Sequence, residues 1–392
     1  MSERTNGVVF PADWPAPDAA ALARSHSLTH TIRREIDSGD GSISFARYME
    51  LALYAPALGY YSNAEPKFGE HGDFITAPEL SPLFARCLAN QVAQILQTLG
   101  DADVLEAGAG SGALAAELLA ALEALGHLPQ RYFILELSAA LRAQQRQTLE
   151  RRAPQLLGRV HWLDALPEHG FRGVVLGNEL LDAMPVARFH IADGDVVEQH
   201  VAYENESFVF CERPASVGVR ERVATLGLES GYHSEIGLPA EAWVRSMGER
   251  LAAGAILLID YGFPRAEFYH PHRREGTLMC HYRQRAHADP LILVGLQDIT
   301  AHVDFTAIAE AGHGIGLSVL GFTSQAAFLI ACGITALASE PLDARAQMLR
   351  AQVINKLTGP HEMGELFKVI ALARGIDAPL LGFVMQDRRH RL

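Results

Sequence analysis

The stretch Val104-Leu105-Glu106-Ala107-Gly108-Ala109-Gly110-Ser111-Gly112 decides the fold of this chain. A short apolar run enters a turn that contains three glycines, and a segment rich in alanine and leucine follows. Glycine permits a sharp turn and the close approach of a ligand, and the free N–H groups at the start of a helix suit an anionic ligand group. The stretch therefore predicts a binding loop for a nucleoside cofactor, with a glycine-rich connector that binds nothing as the alternative.

Carboxylates on either side of this loop bear on the choice of cofactor. Glu136 ends a second apolar run, 24 residues after the last glycine of the loop, where it can accept hydrogen bonds from ribose hydroxyls. Gly108, Gly110 and Ala113 also satisfy the G-x-G-x-x-A spacing of dinucleotide-binding proteins, which leaves a nicotinamide or flavin cofactor open. Glu106 favours S-adenosylmethionine, because a carboxylate attracts its cationic amino acid end and repels a pyrophosphate.

The composition is that of a globular protein. Of 392 residues, 49% are hydrophobic and 20% are charged. The formal net charge of -13 argues against broad affinity for nucleic acid and favours a small molecule or a basic protein partner, although many ordinary enzymes are equally acidic. We find no apolar run of about 18 residues and no targeting pattern, so we predict no membrane insertion and a cytoplasmic location. The sequence does not determine the oligomeric state; a homodimer is one option.

Metal binding is not expected. The four cysteines form no C-x-x-C pair, which argues against a disulfide framework or a zinc ribbon: Cys87, Cys211, Cys280 and Cys332. Asp298, His302 and Asp304 have the residue types of metal ligands or of a proton relay. Their spacing is better explained by a turn on the substrate side of the protein and by the start of a helix.

Apolar strands alternate with helical segments from residue 103 onward, which predicts an α/β fold with a doubly wound parallel sheet. The predicted strands are 103–107, 131–137, 159–163, 172–178, 254–260 and 367–373. The predicted helices are 18–24, 28–36, 44–53, 82–99, 112–124, 138–150, 239–253, 323–332 and 342–357. The run 187–212 alternates with a period of two and contains the turn signal Asp193-Gly194, so we expect a β-hairpin there.

The chain divides into four predicted segments. We expect a helical arm and a lid-like loop in residues 1–99, and the cofactor-binding core in 100–262, with a β-rich insertion at about 187–235. A substrate-side helical region would follow in 263–365, and strands that complete the sheet in 366–392. The loop of about 20 residues before residue 76 is long for a compact domain, and such loops are often functional.

Motifs spread over residues 45–375 resemble one family closely. They are Gly59 to Tyr61, Gly72 to Glu79, Glu106 to Gly112, Asn178 to Val186, Ile259 to Gly262, Gly276 to Leu278, Asp298 to Phe305 and Glu362 to Val369. These motifs resemble the MidA-like S-adenosylmethionine-dependent methyltransferases, which include the mitochondrial arginine methyltransferase that assists assembly of respiratory complex I. One departure is Met184, where the family has a leucine; the exchange conserves volume.

The resemblance implies a Rossmann-like class I methyltransferase core with an N-terminal helical segment and inserted helices and β-hairpins. The cofactor would be S-adenosyl-L-methionine. Gly108, Gly110 and Gly112 would form its loop, Glu106 would meet its amino group and Glu136 its ribose. The implied acceptor is a protein arginine in a subunit of a complex I type or other oxidoreductase complex. A docking protein that binds the cofactor without turnover and an NAD-dependent oxidoreductase remain alternatives.

An arginine acceptor calls for carboxylates, because its guanidinium is protonated at neutral pH and its charge is spread over three nitrogens. Glu179 and Asp182 follow the predicted strand that ends at Asn178, and they would share a face if the turn were helical. We expect Glu179 to be the main catalytic carboxylate. Asp182 could instead cap a helix or pair with an arginine. Asn178 could bind cofactor or substrate, or merely close the strand.

The loop before residue 80 is a candidate lid. We expect Asp73 and Thr76, together with Glu79, to fold over the cofactor and exclude water. Asp73 is explained equally well as an ordinary turn residue.

Overall fold

The computed structural model describes residues 2–5, 8–11, 13–63 and 76–392. Contacts between Cα atoms group the chain into two compact units, whose bounds differ from the four segments expected from the sequence. Unit 1 takes its described residues from 1–74, 182–240 and 266–302, and unit 2 from 75–181, 241–265 and 303–392.

Unit 2 contains a sheet of eight strands. We label seven of them in chain order: β1 (Asp103–Ala107), β2 (Tyr132–Leu135), β3 (Val160–Leu163), β4 (Phe171–Asn178), β5 (Leu251–Phe263), β6 (Ser318–Ser324) and β7 (Phe367–Arg374). Their spatial order is β6-β7-β5-β4-β1-β2-β3, and the short strand Val303–Asp304 pairs with the end of β5. Strands β1 to β5 are mutually parallel, whereas β7 runs antiparallel to both of its neighbours.

This arrangement modifies the predicted all-parallel sheet in two places. β7 enters between β5 and β6 in the opposite direction. β6 was not predicted, and its last two residues were assigned to the start of a helix. The helix after β6 is correspondingly shorter, Gln325–Ala331. Residues 366–392 contribute one strand to the sheet rather than several, and two short 3₁₀ segments, Leu381–Phe383 and Arg389–Arg391, lie in the irregular chain that follows.

Helices cover the sheet of unit 2. They are Ala77–Leu80, Pro82–Leu99, Ala113–Ala124, Ala139–Arg152, Leu238–Arg250, Phe305–His313, Gln325–Ala331, Ile334–Ala338, Ala344–Thr358 and Met363–Leu366. Ser81 and Ser138 begin two of them by accepting a hydrogen bond from the backbone N–H of Leu83 and Leu141. The apolar faces of these helices pack with one face of β1, β4 and β5 to form the main core. The residues on the opposite face of these strands are buried as well.

Unit 1 combines helices with small antiparallel sheets. Its helices are Ala19–Ser38, Phe45–Tyr54 and Val217–Ala224. Its strands are Ser2–Thr5, Val8–Pro11, Ile43–Ser44, Ala187–Ala192, Asp195–Glu204, Ser207–Pro214, His233–Ile236, Met279–Tyr282, Arg285–His287 and Asp298–Thr300. The short helix Arg265–Phe268 starts at the boundary between the units.

Two predictions for unit 1 have clear outcomes. The two short helices expected in 18–36 are one helix, because Leu28, Ile32 and Ile36 continue a single buried stripe. The hairpin at Asp193-Gly194 is confirmed, since it joins two antiparallel strands. Over the residues that the structure describes, every helix is too short or too polar to pass through a bilayer.

Candidate active site

The glycine loop lies between β1 and the helix Ala113–Ala124. Gly108, Gly110 and Gly112 have φ angles of 68°, 52° and 82°, a region that other residues rarely adopt. A Cβ atom on Gly112 would lie 2.9 Å from the Cα atom of Gln145. The third glycine therefore permits the close approach of a neighbouring helix.

Glu106 is buried at the carboxyl end of β1. Its carboxyl accepts a hydrogen bond of 2.6 Å from the hydroxyl of Tyr132 on β2. Burial raises the pKa of Glu106 to about 7, and the bond from Tyr132 offsets only part of that effect. A cation placed beside this carboxyl would stabilise its charged form.

Glu136 lies one residue past β2 and is also buried. Its carboxylate accepts hydrogen bonds from the backbone N–H of Ser138 at 2.9 Å and from Nε2 of Gln145 at 3.1 Å. Burial raises its pKa, and these donors oppose the effect. Gln145, which the sequence did not single out, also donates to the carbonyl oxygen of Gly110 at 3.0 Å.

The predicted lid can be placed only in part. Asp73 lies outside the described residues. Thr76 is buried and precedes the short helix Ala77–Leu80, without a capping hydrogen bond from its side chain. Glu79, in that helix, accepts a hydrogen bond from the hydroxyl of Ser111. The described end of this loop therefore contacts the glycine loop.

Glu179 stands immediately after β4 in a strained conformation. Its φ angle is +50°, and its backbone N–H donates to the carbonyl oxygen of Ile259 at 2.9 Å. Such angles are uncommon for residues other than glycine and are concentrated at functional sites. The segment from Glu179 to Val186 consists of turns and bends. The turn is not helical, so the condition under which Glu179 and Asp182 would share a helical face is not met.

Three donors hold the carboxylate of Glu179. Nδ2 of Asn178 lies 3.1 Å from one oxygen, and the hydroxyl of Tyr261 lies 3.0 Å from the other. The backbone N–H of Ala77 donates as well. Even so, burial and the nearby charge of Asp260 raise the pKa of Glu179 to about 8. Before a ligand binds, this side chain is mainly neutral at pH 7.

Asp260 holds the turn that follows Glu179 by accepting hydrogen bonds from its backbone. It is buried near the end of β5. One carboxylate oxygen accepts hydrogen bonds from the backbone N–H groups of Leu180 and Leu181 at 3.1 and 2.8 Å. The other oxygen accepts from the backbone N–H of Tyr261 at 2.9 Å. The sequence analysis gave Asp260 and Tyr261 no site role, although β5 was predicted to end there.

The Glu179 turn and the glycine loop are in contact. A Cβ atom on Gly108 would lie 3.1 Å from Cδ1 of Leu180. β1 and β4 are parallel neighbours, so their carboxyl ends share one edge of the sheet. Ligands bind at this edge in open α/β sheets. Oδ1 of Asn178 is buried at the same edge, without a hydrogen-bond partner among the described residues.

The remaining candidate residues, Asp182, Asp298 and Asp304, form contacts that stabilise the fold. Asp182 is buried in unit 1, caps no helix, and its carbonyl oxygen accepts a hydrogen bond from the backbone N–H of Ala301 at 3.0 Å. Asp298 accepts a hydrogen bond of 2.8 Å from the hydroxyl of Tyr61. Asp304 caps the helix Phe305–His313, as the sequence predicted. Within the described part of the chain, no group of three or more His, Cys, Asp or Glu side chains could hold a metal ion.

Comparison with known proteins identifies the family. A family model described as "Putative S-adenosyl-L-methionine-dependent methyltransferase" matches residues 87–323, more than half of the chain. A crystal structure of a Burkholderia thailandensis protein bound to S-adenosyl-homocysteine is 51% identical in sequence and has a TM-score of 0.93. The match covers 97% of this chain and 100% of that one.

Curated relatives match at lower identity over most of their length. The protein arginine methyltransferase NDUFAF7, mitochondrial, of Danio rerio is 28% identical over 89% of this chain and 88% of its own. The protein of the same name from Mus musculus is 29% identical over 89% of this chain and 86% of its own. The predicted cytoplasmic location is contradicted by these relatives, which are named as mitochondrial proteins.

The comparisons also choose between the cofactors that the glycine spacing left open. The family model names S-adenosyl-L-methionine, and the Burkholderia protein contains the demethylated form of that cofactor. The predicted Rossmann-like methyltransferase fold and the predicted cofactor are both confirmed. The chain belongs to the family of S-adenosyl-L-methionine-dependent methyltransferases.

Proposed function

We propose that the protein methylates arginine side chains of a protein substrate and that Glu179 holds the acceptor. The observation that carries this proposal is the carboxyl of Glu179, fixed by Asn178 and Tyr261 in a strained turn that contacts the glycine loop. A carboxylate suits a guanidinium, because it accepts two N–H groups and offsets the charge. The names of the relatives add support, since they are called protein arginine methyltransferases.

The residues around the glycine loop fit the cofactor chemically. Glu106 offers a buried carboxyl to the amino group of the cofactor, and Glu136 offers one to the ribose hydroxyls. We propose that Gly108 and Gly110 line the cofactor loop, that Gly112 lets the helix of Gln145 support it, and that Thr76 lies over the ligand.

The cofactor supplies a methyl group that is already activated by a sulfonium leaving group. The protein must therefore hold an acceptor nitrogen in line with the breaking bond and keep that nitrogen's electron pair available. We propose that Glu179 accepts one N–H of the attacking nitrogen and one N–H of a second guanidinium nitrogen, while Oδ1 of Asn178 accepts a third from a nitrogen that does not attack. This arrangement steers positive charge away from the attacking nitrogen.

Proton transfer completes the reaction. As the new N–C bond forms, the attacking nitrogen must lose a proton. Glu179 has a pKa of about 8, which is close to the working pH and suits a group that accepts this proton.

The family resemblance also suggests which class of protein contains the acceptor arginine. We propose that the acceptor arginine belongs to a subunit of a complex I type or other oxidoreductase complex. The net charge of -13 is compatible with a basic substrate segment.

The test is methyl transfer to protein from cells of the source organism that lack this gene. The purified enzyme is incubated with that protein and S-adenosylmethionine labelled in its methyl group, and the labelled protein is hydrolysed in acid. We expect the label in methylarginine. Label in methyllysine, with none in methylarginine, would overturn the proposal.

A further inference from the structure

Gln145 links the two parts of the cofactor site. Its side chain is fully buried in the helix Ala139–Arg152. Nε2 donates to the carbonyl oxygen of Gly110 at 3.0 Å and to the carboxylate of Glu136 at 3.1 Å. Oε1 accepts from the indole Nε1 of Trp162 at 2.9 Å. One side chain thus connects the loop after β1, the residue after β2 and strand β3.

The chemistry of the neighbours fixes the orientation of the amide. An indole N–H can only donate, and a backbone carbonyl can only accept. Oε1 must therefore face Trp162, and both hydrogens of Nε2 are committed to Gly110 and Glu136. The amide has no second orientation that satisfies these partners, so Gln145 is a rigid connection.

The helix that carries Gln145 is itself held against the loop. The missing Cβ of Gly112 leaves room for the Cα atom of Gln145, which lies 2.9 Å from where that Cβ would be. The hydrogen bonds of the Gln145 side chain and the packing of its Cα atom against Gly112 therefore both fix the distance between Glu136 and the glycine loop. A change at either contact would move the ribose-binding carboxylate relative to the glycines.

We infer that Gln145 is a positioning residue that sets cofactor affinity by aligning the Glu136 carboxylate with the Gly110 loop. This inference rests on the proposed role of Glu136 at the ribose. Gln145 does not itself contact the cofactor in this proposal; it acts by holding the Glu136 carboxylate and the Gly110 carbonyl in place. Supporting residues of this kind typically change affinity by about 10- to 100-fold when they are removed, as in metal sites.

The test replaces Gln145 with methionine, which is similar in length and cannot form these hydrogen bonds. Calorimetric titration measures the dissociation constant for S-adenosylhomocysteine and for an analogue that lacks both ribose hydroxyls. We expect Gln145→Met to weaken binding of S-adenosylhomocysteine about 10-fold or more, and to change binding of the analogue far less. Equal weakening for both ligands would overturn the inference, because it would show a general loosening of the fold.

Gln91→Met is the matched control. Gln91 is also fully buried in unit 2, where its oxygen accepts a hydrogen bond from the backbone N–H of Gly382 at 2.8 Å. We expect this variant to lose stability and to keep its affinity for S-adenosylhomocysteine. Identical affinities in both variants and the wild type would contradict the inference.

Two further variants complete the design. Glu136→Gln tests the underlying role of Glu136: if it leaves affinity unchanged, the ribose proposal fails and the inference falls with it. If Glu136→Gln weakens binding and Gln145→Met does not, only the inference fails. Trp162→Phe removes the donor to Gln145 without touching either partner of Nε2. If Gln145→Met does not fold, a selective loss of S-adenosylhomocysteine affinity in Trp162→Phe supports the inference, and no loss contradicts it.

Discussion

The hydroxyl of Tyr132 on β2 donates a hydrogen bond to the carboxyl of Glu106 on β1, with 2.6 Å between the two oxygens. Burial raises the pKa of Tyr132 well above its usual range, so this hydroxyl stays a donor throughout the physiological range. Burial also raises the pKa of Glu106 to about 7. The carboxyl proposed to meet the amino group of the cofactor is therefore close to half-protonated at neutral pH, and a bound cation would favour its charged form.

Binding of S-adenosylhomocysteine should release a proton from Glu106 at pH 6. The ligand's ammonium group favours the ionised carboxylate, which is the minor form below a pKa of about 7. Calorimetry at pH 6 in buffers with different enthalpies of ionisation measures the release. We expect Glu106→Gln to abolish it and the exposed control Glu123→Gln to preserve it. Release that survives in Glu106→Gln would mean that another group titrates.

Glu106 should also make stability depend on pH. Its pKa is about 7 in the folded protein against 4.5 without burial, so the folded state binds the proton more tightly. This contribution is complete below about pH 4.5 and is lost as the pH rises through about 7. Relative to Glu106→Gln, the wild type should lose about 3 kcal/mol of unfolding free energy between pH 4.5 and 8.5. Urea denaturation of both proteins without cofactor measures this; a constant difference would refute it.

Gly112→Ala should cost more than Gly126→Ala. Both glycines have positive φ angles, 82° and 74°, so both variants bear a similar backbone strain of about 1 kcal/mol. Only the Cβ on Gly112 meets another backbone, at 2.9 Å from the Cα atom of Gln145, whereas Gly126 has nothing within 4 Å. We expect about 2 kcal/mol of additional destabilisation and weaker binding of S-adenosylhomocysteine in Gly112→Ala. Equal effects would show that Gln145 does not pack against the loop in solution.

Tyr261→Phe should shift the pH profile of methyl transfer. Because the pKa of Glu179 is about 8, kcat/KM of the wild type should rise with pH up to about 8 and then level off. The Tyr261 hydroxyl lowers that pKa, so its removal should move the rising limb to higher pH and reduce transfer several-fold at pH 7. Affinity for S-adenosylhomocysteine should not change.

Tyr269→Phe is the matched control for that variant. It loses a hydrogen bond of the same length, 3.0 Å, to the backbone carbonyl of Glu235 in unit 1. Its pH profile should superimpose on that of the wild type. A common shift in both variants would assign the effect to stability rather than to Glu179.

Much of the fold could be predicted because its signals are local. β1 and the helix Pro82–Leu99 have the predicted bounds, since a local hydrophobic pattern marks each of them. β6 was missed because Ser318–Ser324 contains serines, a threonine and a glycine and is only partly buried. The direction of β7 depends on packing between distant parts of the chain, which periodicity does not encode.

The candidate site divides in the same way. The positions of Glu106, Glu136 and Glu179 at the carboxyl ends of strands could be predicted, because each lies at or just after the end of an apolar run. The partners that fix them could not, since Tyr261 reaches Glu179 only through the pairing of β4 with β5. Gln145 lies in the middle of a helix, and its role depends on three contacts that are distant in sequence.

The most direct test of the account compares the wild type with Glu179→Gln in paired measurements. One is the dissociation constant for S-adenosylhomocysteine; the other is the rate of methylarginine formation in a single turnover, with protein from cells lacking this gene as the acceptor. The account predicts an unchanged dissociation constant and a loss of at least about 100-fold in rate, because the neutral amide cannot offset the guanidinium charge or accept its proton. Wild-type rates of methylarginine formation in Glu179→Gln would contradict it.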